Sequence, residues 1–79
     1  RLPKGVYVAS VEEGSGAEKA GLAADDVITK IGDQSVETVE DLRDALKETK
    51  AGDTVKVTFV RAGKDGKYDR TYSTKVILE

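Results

Sequence analysis

The sequence predicts a small α+β fold, a mostly antiparallel β-barrel or sandwich capped by one short and one longer helix. Three observations predict it. The 79 residues run in the order strand, short helix, strand, longer helix, hairpin. Apolar side chains alternate over Thr54–Arg61, as a half-buried strand requires. Over Val39–Thr49 they recur instead at spacings of three and four, the period of an amphipathic helix. A chain of this length supports a single core, so one domain over residues 1–79 is expected.

The first strand spans Gly5–Val11, with Val6 and Val8 on one face. It gives way to Glu12-Glu13-Gly14-Ser15-Gly16, a run of turn formers. Ser15 and Glu18 have capping-box spacing and predict a short helix over about Ala17–Ala20, which Gly21 ends in a left-handed conformation. Leu22 enters the core ahead of a second strand, Asp26–Ile31, closed by the turn Gly32-Asp33-Gln34. Thr38 with Asp41 repeats the capping pattern at the start of the longer helix, Val39–Thr49. Its stripe is Val39, Leu42, Ala45 and Leu46. Glu40 and Asp41 near its start and Lys47 and Lys50 near its end suit the helix dipole. After Gly52, the strand Thr54–Arg61 points Val55, Val57 and Phe59 inward. A polar loop, Ala62–Lys67, leads to a return strand over about Tyr68–Leu78, with Tyr72, Thr74, Val76 and Leu78 on one side.

Composition excludes several functions. Thirteen basic and fifteen acidic residues give a net charge of −2 without a basic run, which argues against nucleic acid as a partner. No apolar stretch approaches the roughly 20 residues of a membrane span. The chain has no cysteine, hence no thiol nucleophile or zinc knuckle, and no histidine to serve as general base or metal ligand. None of Ser10, Ser15, Ser35 and Ser73 has a histidine to activate it, and Gly14-Ser15-Gly16 misses the nucleophile-elbow pattern. Gly14-Ser15-Gly16 also fails as a dinucleotide loop. Lys19 stands where the third glycine belongs, and Glu12 and Glu13 repel a pyrophosphate. The acidic turn segments Asp25-Asp26 and Asp65-Gly66 lack calcium-loop spacing, and their carboxylates are expected to be solvated. No catalytic residue, metal site or small-molecule cofactor is expected.

Taken together, Gly5-Val6-Tyr7-Val8, Gly14–Leu22 (GSGAEKAGL) and Asp26–Asp33 (DVITKIGD) resemble the PDZ domain. Ser35-Val36, Asp41-Leu42-Arg43, Ala51–Val55 and Val60–Lys64 continue the pattern in order. The version resembled most is the domain that follows the protease domain in bacterial HtrA-type serine proteases, particularly Gram-positive ones. The opening Leu2–Val8 adds to that likeness. The C-terminal strand adds to it as well, since in bacterial members it does the work of the first strand in animal ones. Envelope Lon-like proteases, carboxyl-terminal processing proteases and some aminopeptidases carry PDZ domains of similar pattern.

The resemblance implies a peptide-binding module without enzymatic activity of its own. It would recognise polypeptide C-termini or unfolded segments for an attached protease domain, in the bacterial cell envelope or outside the cytoplasm. It implies a groove whose helical wall is Val39, Arg43 and Leu46, with the ligand added as a strand beside it. An aliphatic Val39 favours an apolar ligand side chain over a hydroxyl one, and Arg43 is placed to meet an acidic group. Three departures stand out. Gly16-Ala17 replaces Pro-Ala, and Asp25-Asp26 replaces Gly-Asp, so that position 25 turns without glycine's freedom. The X-Φ-G-Φ loop that holds a ligand carboxylate has no match. Lys4-Gly5-Val6 is the nearest, with Lys4 at the apolar position. A domain truncated upstream of Arg1 is therefore expected. A purely structural or regulatory packing module is the alternative.

Overall fold

The computed structural model describes residues 3–78; Arg1, Leu2 and Glu79, including the Leu2 of the opening segment, lie outside the described residues. The elements are β1 (Val6–Tyr7), α1 (Gly16–Lys19), β2 (Val27–Ile31), β3 (Gln34–Ser35), α2 (Val39–Ala45), β4 (Thr54–Arg61) and β5 (Arg70–Ile77). All pairings are antiparallel, in one five-stranded sheet of order β1-β2-β4-β5, with β3 pairing β2. β4 takes one edge of β2, and β1 and β3 share the other. The sheet stays open and does not close into a barrel.

The expected first strand is the element most shortened. Only Val6 and Tyr7 enter the ladder, opposite Ile28 and Val27. Val8 still exchanges backbone bonds with this region, its N–H donating to the Asp26 carbonyl and its carbonyl accepting from Asp25 N–H. Beyond that point the chain at Asp25 turns away, and among the described residues Ala9–Val11 have no strand to pair with.

Capping decides where both helices start. Ser15 Oγ accepts from the N–H of Glu18, and Glu18 Oε1 accepts from the N–H of Gly14. Thr38 Oγ1 accepts from Asp41 N–H, while Asp41 Oδ2 accepts from Glu37 N–H. Gly21, at φ 97°, takes the left-handed stop expected of it. The longer helix ends at Ala45 rather than Thr49. Leu46 N–H is shared between the Leu42 and Arg43 carbonyls, and the N–H groups of Lys47 and Thr49 bond carbonyls three residues back, a tighter turn.

Where the sequence predicts a turn alone, a β2–β3 hairpin puts Lys30 opposite Ser35 and Ile31 opposite Gln34. β4 and β5 pair along their full length, from Thr54 opposite Ile77 to Arg61 opposite Arg70. One face of the sheet carries the core: Ile28, Ile31, Val57, Phe59 and Val76, with Leu22 and Val36 packed among them. Val6, Val8, Leu42, Ala45 and Leu46 close over this cluster and stay partly exposed.

Candidate functional site

The three residues expected to form a helical wall lie along α2 and its cap. Val39 opens the helix and is 54% exposed, the only member of the apolar stripe that does not pack on the core. Arg43, one turn on, is exposed and makes no ion pair among the described residues. Leu46 is the C-cap and rests against the core cluster. Spacings of four and three put all three on one side of the helix. An apolar surface and an unpaired cation thus stand beside each other, suited to an extended segment with an aliphatic side chain and a nearby carboxylate.

A second constellation was not anticipated. Asp26, expected as a solvated turn carboxylate, is 1% exposed and is the one buried charged residue among those described. Arg61 Nε donates to its Oδ1 at 2.8 Å and Nη2 to its Oδ2 at 2.7 Å, a bidentate pair. Ala23 N–H donates to Oδ2 as well, at 2.9 Å. Burial pushes the Asp26 carboxyl up, but these hydrogen bonds and the guanidinium charge outweigh it and hold the carboxyl below its ordinary range. Arg61 also donates to the Gly21 carbonyl and lies over the Phe59 and Tyr72 rings, 5.2 and 5.9 Å from their centroids. This pair fastens the turn after α1 to the end of β4. The only sequence signal for it was that Asp26 and Arg61 each fell within a family block.

Asp25 has the conformation that its replacement of glycine demands, at φ 77°. Its carboxylate accepts from the Tyr7 hydroxyl and its carbonyl from the Tyr68 hydroxyl. The bond to Asp25 raises the Tyr7 phenol above its ordinary pKa, because ionisation would lose the donor and add a second negative charge. The two tyrosines hold the left-handed turn from either side. It is a structural clasp, and both side chains remain near solvent.

Two cavities lie away from α2. One, of about 480 Å³, sits under the β4–β5 loop and is lined by Lys64, Asp65, Asp69, Arg70 and Tyr72, with Arg61 at its base. The other, of about 200 Å³, lies between α1 and β5. No group of three acidic side chains is arranged to hold a metal among the described residues.

Comparison with known proteins places these features in a family. A family model described as the PDZ domain matches residues 1–76. The chain is 47% identical over 66 residues to the serine protease Do-like HtrA of Bacillus subtilis and 51% over 65 residues to that of Lactococcus lactis, covering 82% of this chain in each case. It is 34% identical over 73 residues to the periplasmic pH-dependent serine endoprotease DegQ of Escherichia coli, covering 92% of this chain. The chain spans only 15–16% of the length of these relatives. Among solved structures, the PDZ domain of the SdrC-like protein of Listeria monocytogenes superposes with a TM-score of 0.76 at 28% identity, over 98% of this chain and 74% of that one. A Geobacillus thermodenitrificans protein gives 0.73 at 36% identity, over 96% and 79%. The matched residues leave no room in this chain for a protease domain. On sequence and on fold alike, the chain belongs to the PDZ domain family.

Proposed function

We propose that this domain captures polypeptide C-termini or unfolded segments for an HtrA-type serine protease domain attached to it. The observation that carries the reading is the match to Gram-positive HtrA proteases at 45–53% identity. In this reading Val39, Arg43 and Leu46 form the helical wall of the groove. Val39 selects an aliphatic ligand side chain, Arg43 attracts an acidic group, and Leu46 supports the floor. The reading extends to location. Relatives described as periplasmic support a parent protein working outside the cytoplasm, in the cell envelope.

The test is a titration with peptides ending in a free carboxylate after an aliphatic residue, followed by backbone amide shifts. Saturable shifts along Val39–Leu46, weakened several-fold by Val39→Ser, are expected. The same titration is run on a longer chain that restores the upstream residues of the parent. Absence of shifts in both would leave the packing module as the better account.

A further inference from the structure

The charges are unevenly sorted between strands and loops. β2, β4 and β5 carry five cations, Lys30, Lys56, Arg61, Arg70 and Lys75, and among the described residues no strand contains an Asp or Glu. The chain as a whole is net −2, so its acids are concentrated elsewhere. Alternation divides the five between the faces. Arg61 and Arg70 share the face of Phe59 and the core. Lys56 pairs with Lys75, and Lys30 pairs with Thr58, two residues along from Lys56, so all three lysines stand on the outer face.

All three are exposed, and none makes an ion pair among the described residues. Lys56 and Lys75 are direct cross-strand partners, a like-charge placement that disfavours the sheet unless an anion sits between them. Thr54, Thr58, Thr71 and Ser73 surround them with hydroxyls.

A notch borders this face. The cavity of about 200 Å³ between α1 and β5 is lined by Gly16, Lys19, Ala20, Lys75 and Ile77. Its rim is two lysines and its floor is apolar, with Ile77 59% exposed. The volume lies below the roughly 300–1,000 Å³ of small-molecule sites and suits a single side chain. Gly16 opens the notch. A Cβ there would stand 2.1 Å from the Ile77 carbonyl oxygen, so α1 approaches β5 this closely only because the residue is glycine.

We propose that the outer face of the sheet binds an acidic polypeptide segment, its carboxylates at Lys30, Lys56 and Lys75 and one aliphatic side chain in the notch beside Lys19. The chemistry of the face selects this partner over others. A membrane surface would need a broad exposed apolar face, and here the outer positions Val27 and Val60 are buried, leaving Ile77 among lysines and hydroxyls and Tyr7 apart from it on β1. A single-stranded nucleic acid would need a series of aromatic platforms, and among the described strands the outer face carries just Tyr7, on β1 and tied to Asp25. The face lies across the sheet from α2, so a segment bound here leaves the α2 groove free.

The test uses a fluorescein-labelled Glu-Glu-Leu-Glu-Glu peptide, amidated so that it offers no C-terminal carboxylate to the α2 groove. Titrated with the 79-residue chain, it should bind saturably, with amide shifts at Lys30, Lys56, Lys75 and Ile77 and none along Val39–Leu46. The Lys56→Glu, Lys75→Glu double variant should bind roughly tenfold more weakly, since two attractions become repulsions. A Lys56→Gln, Lys75→Gln variant, which relieves the cross-strand repulsion and keeps the fold, should fall about threefold. Replacing leucine in the peptide by serine should also weaken binding. Failure to saturate, undiminished binding by both double variants, or shifts confined to α2 would overturn the proposal. So would tighter binding to phosphatidylglycerol vesicles than to the peptide.

Discussion

Replacing Arg61 by glutamine should strand the buried Asp26 carboxylate, and the size and pH dependence of the loss both follow from the geometry. The change removes the bonds of 2.8 and 2.7 Å to Asp26 and the 2.8 Å bond to the Gly21 carbonyl. Breaking a fully buried pair costs about 3–5 kcal/mol. The Arg61 side chain is 39% exposed and Ala23 N–H remains on Asp26, so water and backbone recover part of this, leaving a loss of about 2–3 kcal/mol. Against a total of roughly 4–12 kcal/mol for a domain of this size, that is a large fraction. It corresponds to a fall in Tm of roughly 10–20 °C.

The sign with pH is equally specific. In the parent, the folded-state pKa of Asp26 is depressed below its ordinary 3.8, so the pair's contribution is complete above that value and is lost as pH falls through the lower folded pKa. Without the guanidinium, burial is left to raise the carboxyl, and acid then relieves the variant by neutralising a stranded charge. The gap between parent and variant should be widest near neutrality, narrow as pH falls through the variant's raised pKa, and close only below the parent's depressed one. Urea unfolding followed by far-UV circular dichroism at a series of pH values measures both. A variant within about 0.5 kcal/mol of the parent at pH 7, or a gap that widens in acid, would refute the reasoning.

Further outcomes follow from the same structure. At position 25, both Asp25→Gly and Asp25→Ala delete the carboxylate that holds Tyr7, but only alanine keeps a Cβ at φ 77°; the glycine variant should be more stable than the alanine by about 1 kcal/mol in urea unfolding. Gly16→Ala drives a methyl into the Ile77 carbonyl and should cost about 1–3 kcal/mol, whereas an alanine placed at the open Gly14 meets no atom and pays only for its positive φ. Thr38→Ala removes the cap of α2 and should lower stability by about 1 kcal/mol, with amide exchange quickening first at Val39–Asp41. In ultraviolet titration, Asp25→Asn should bring Tyr7 down toward its ordinary value by removing the charged acceptor.

Elements specified by neighbouring residues were legible in the sequence: the two capped helices, the left-handed stop at Gly21, the alternation of β4 and the special turn at position 25. All but the last depend on interactions within a few residues, where pattern and physics coincide; the turn at position 25 was read from the family pattern and is held by Tyr7 and Tyr68. The end of β1 and the end of α2 were not, because both are decided by distant neighbours. β1 stops where β2 has no more chain to offer, and α2 tightens where Leu46 meets the core. The helix side bearing Val39, Arg43 and Leu46 follows from periodicity, but the exposure that separates Val39 from the rest of its stripe does not. Asp26 is the clearest case. As an isolated dipeptide, Asp25-Asp26 reads as solvated charge, and only the pairing of β2 with β4 brings Arg61, 35 residues away, onto one of its carboxylates. The cationic outer face likewise needs strand register, since Lys56 and Lys75 become neighbours only across a ladder. Local conformation and family were therefore determined by the sequence alone. Which charges are buried, paired or left to meet a partner was decided by the tertiary structure, because electrostatic environment depends on distance in space, and a linear pattern does not contain it.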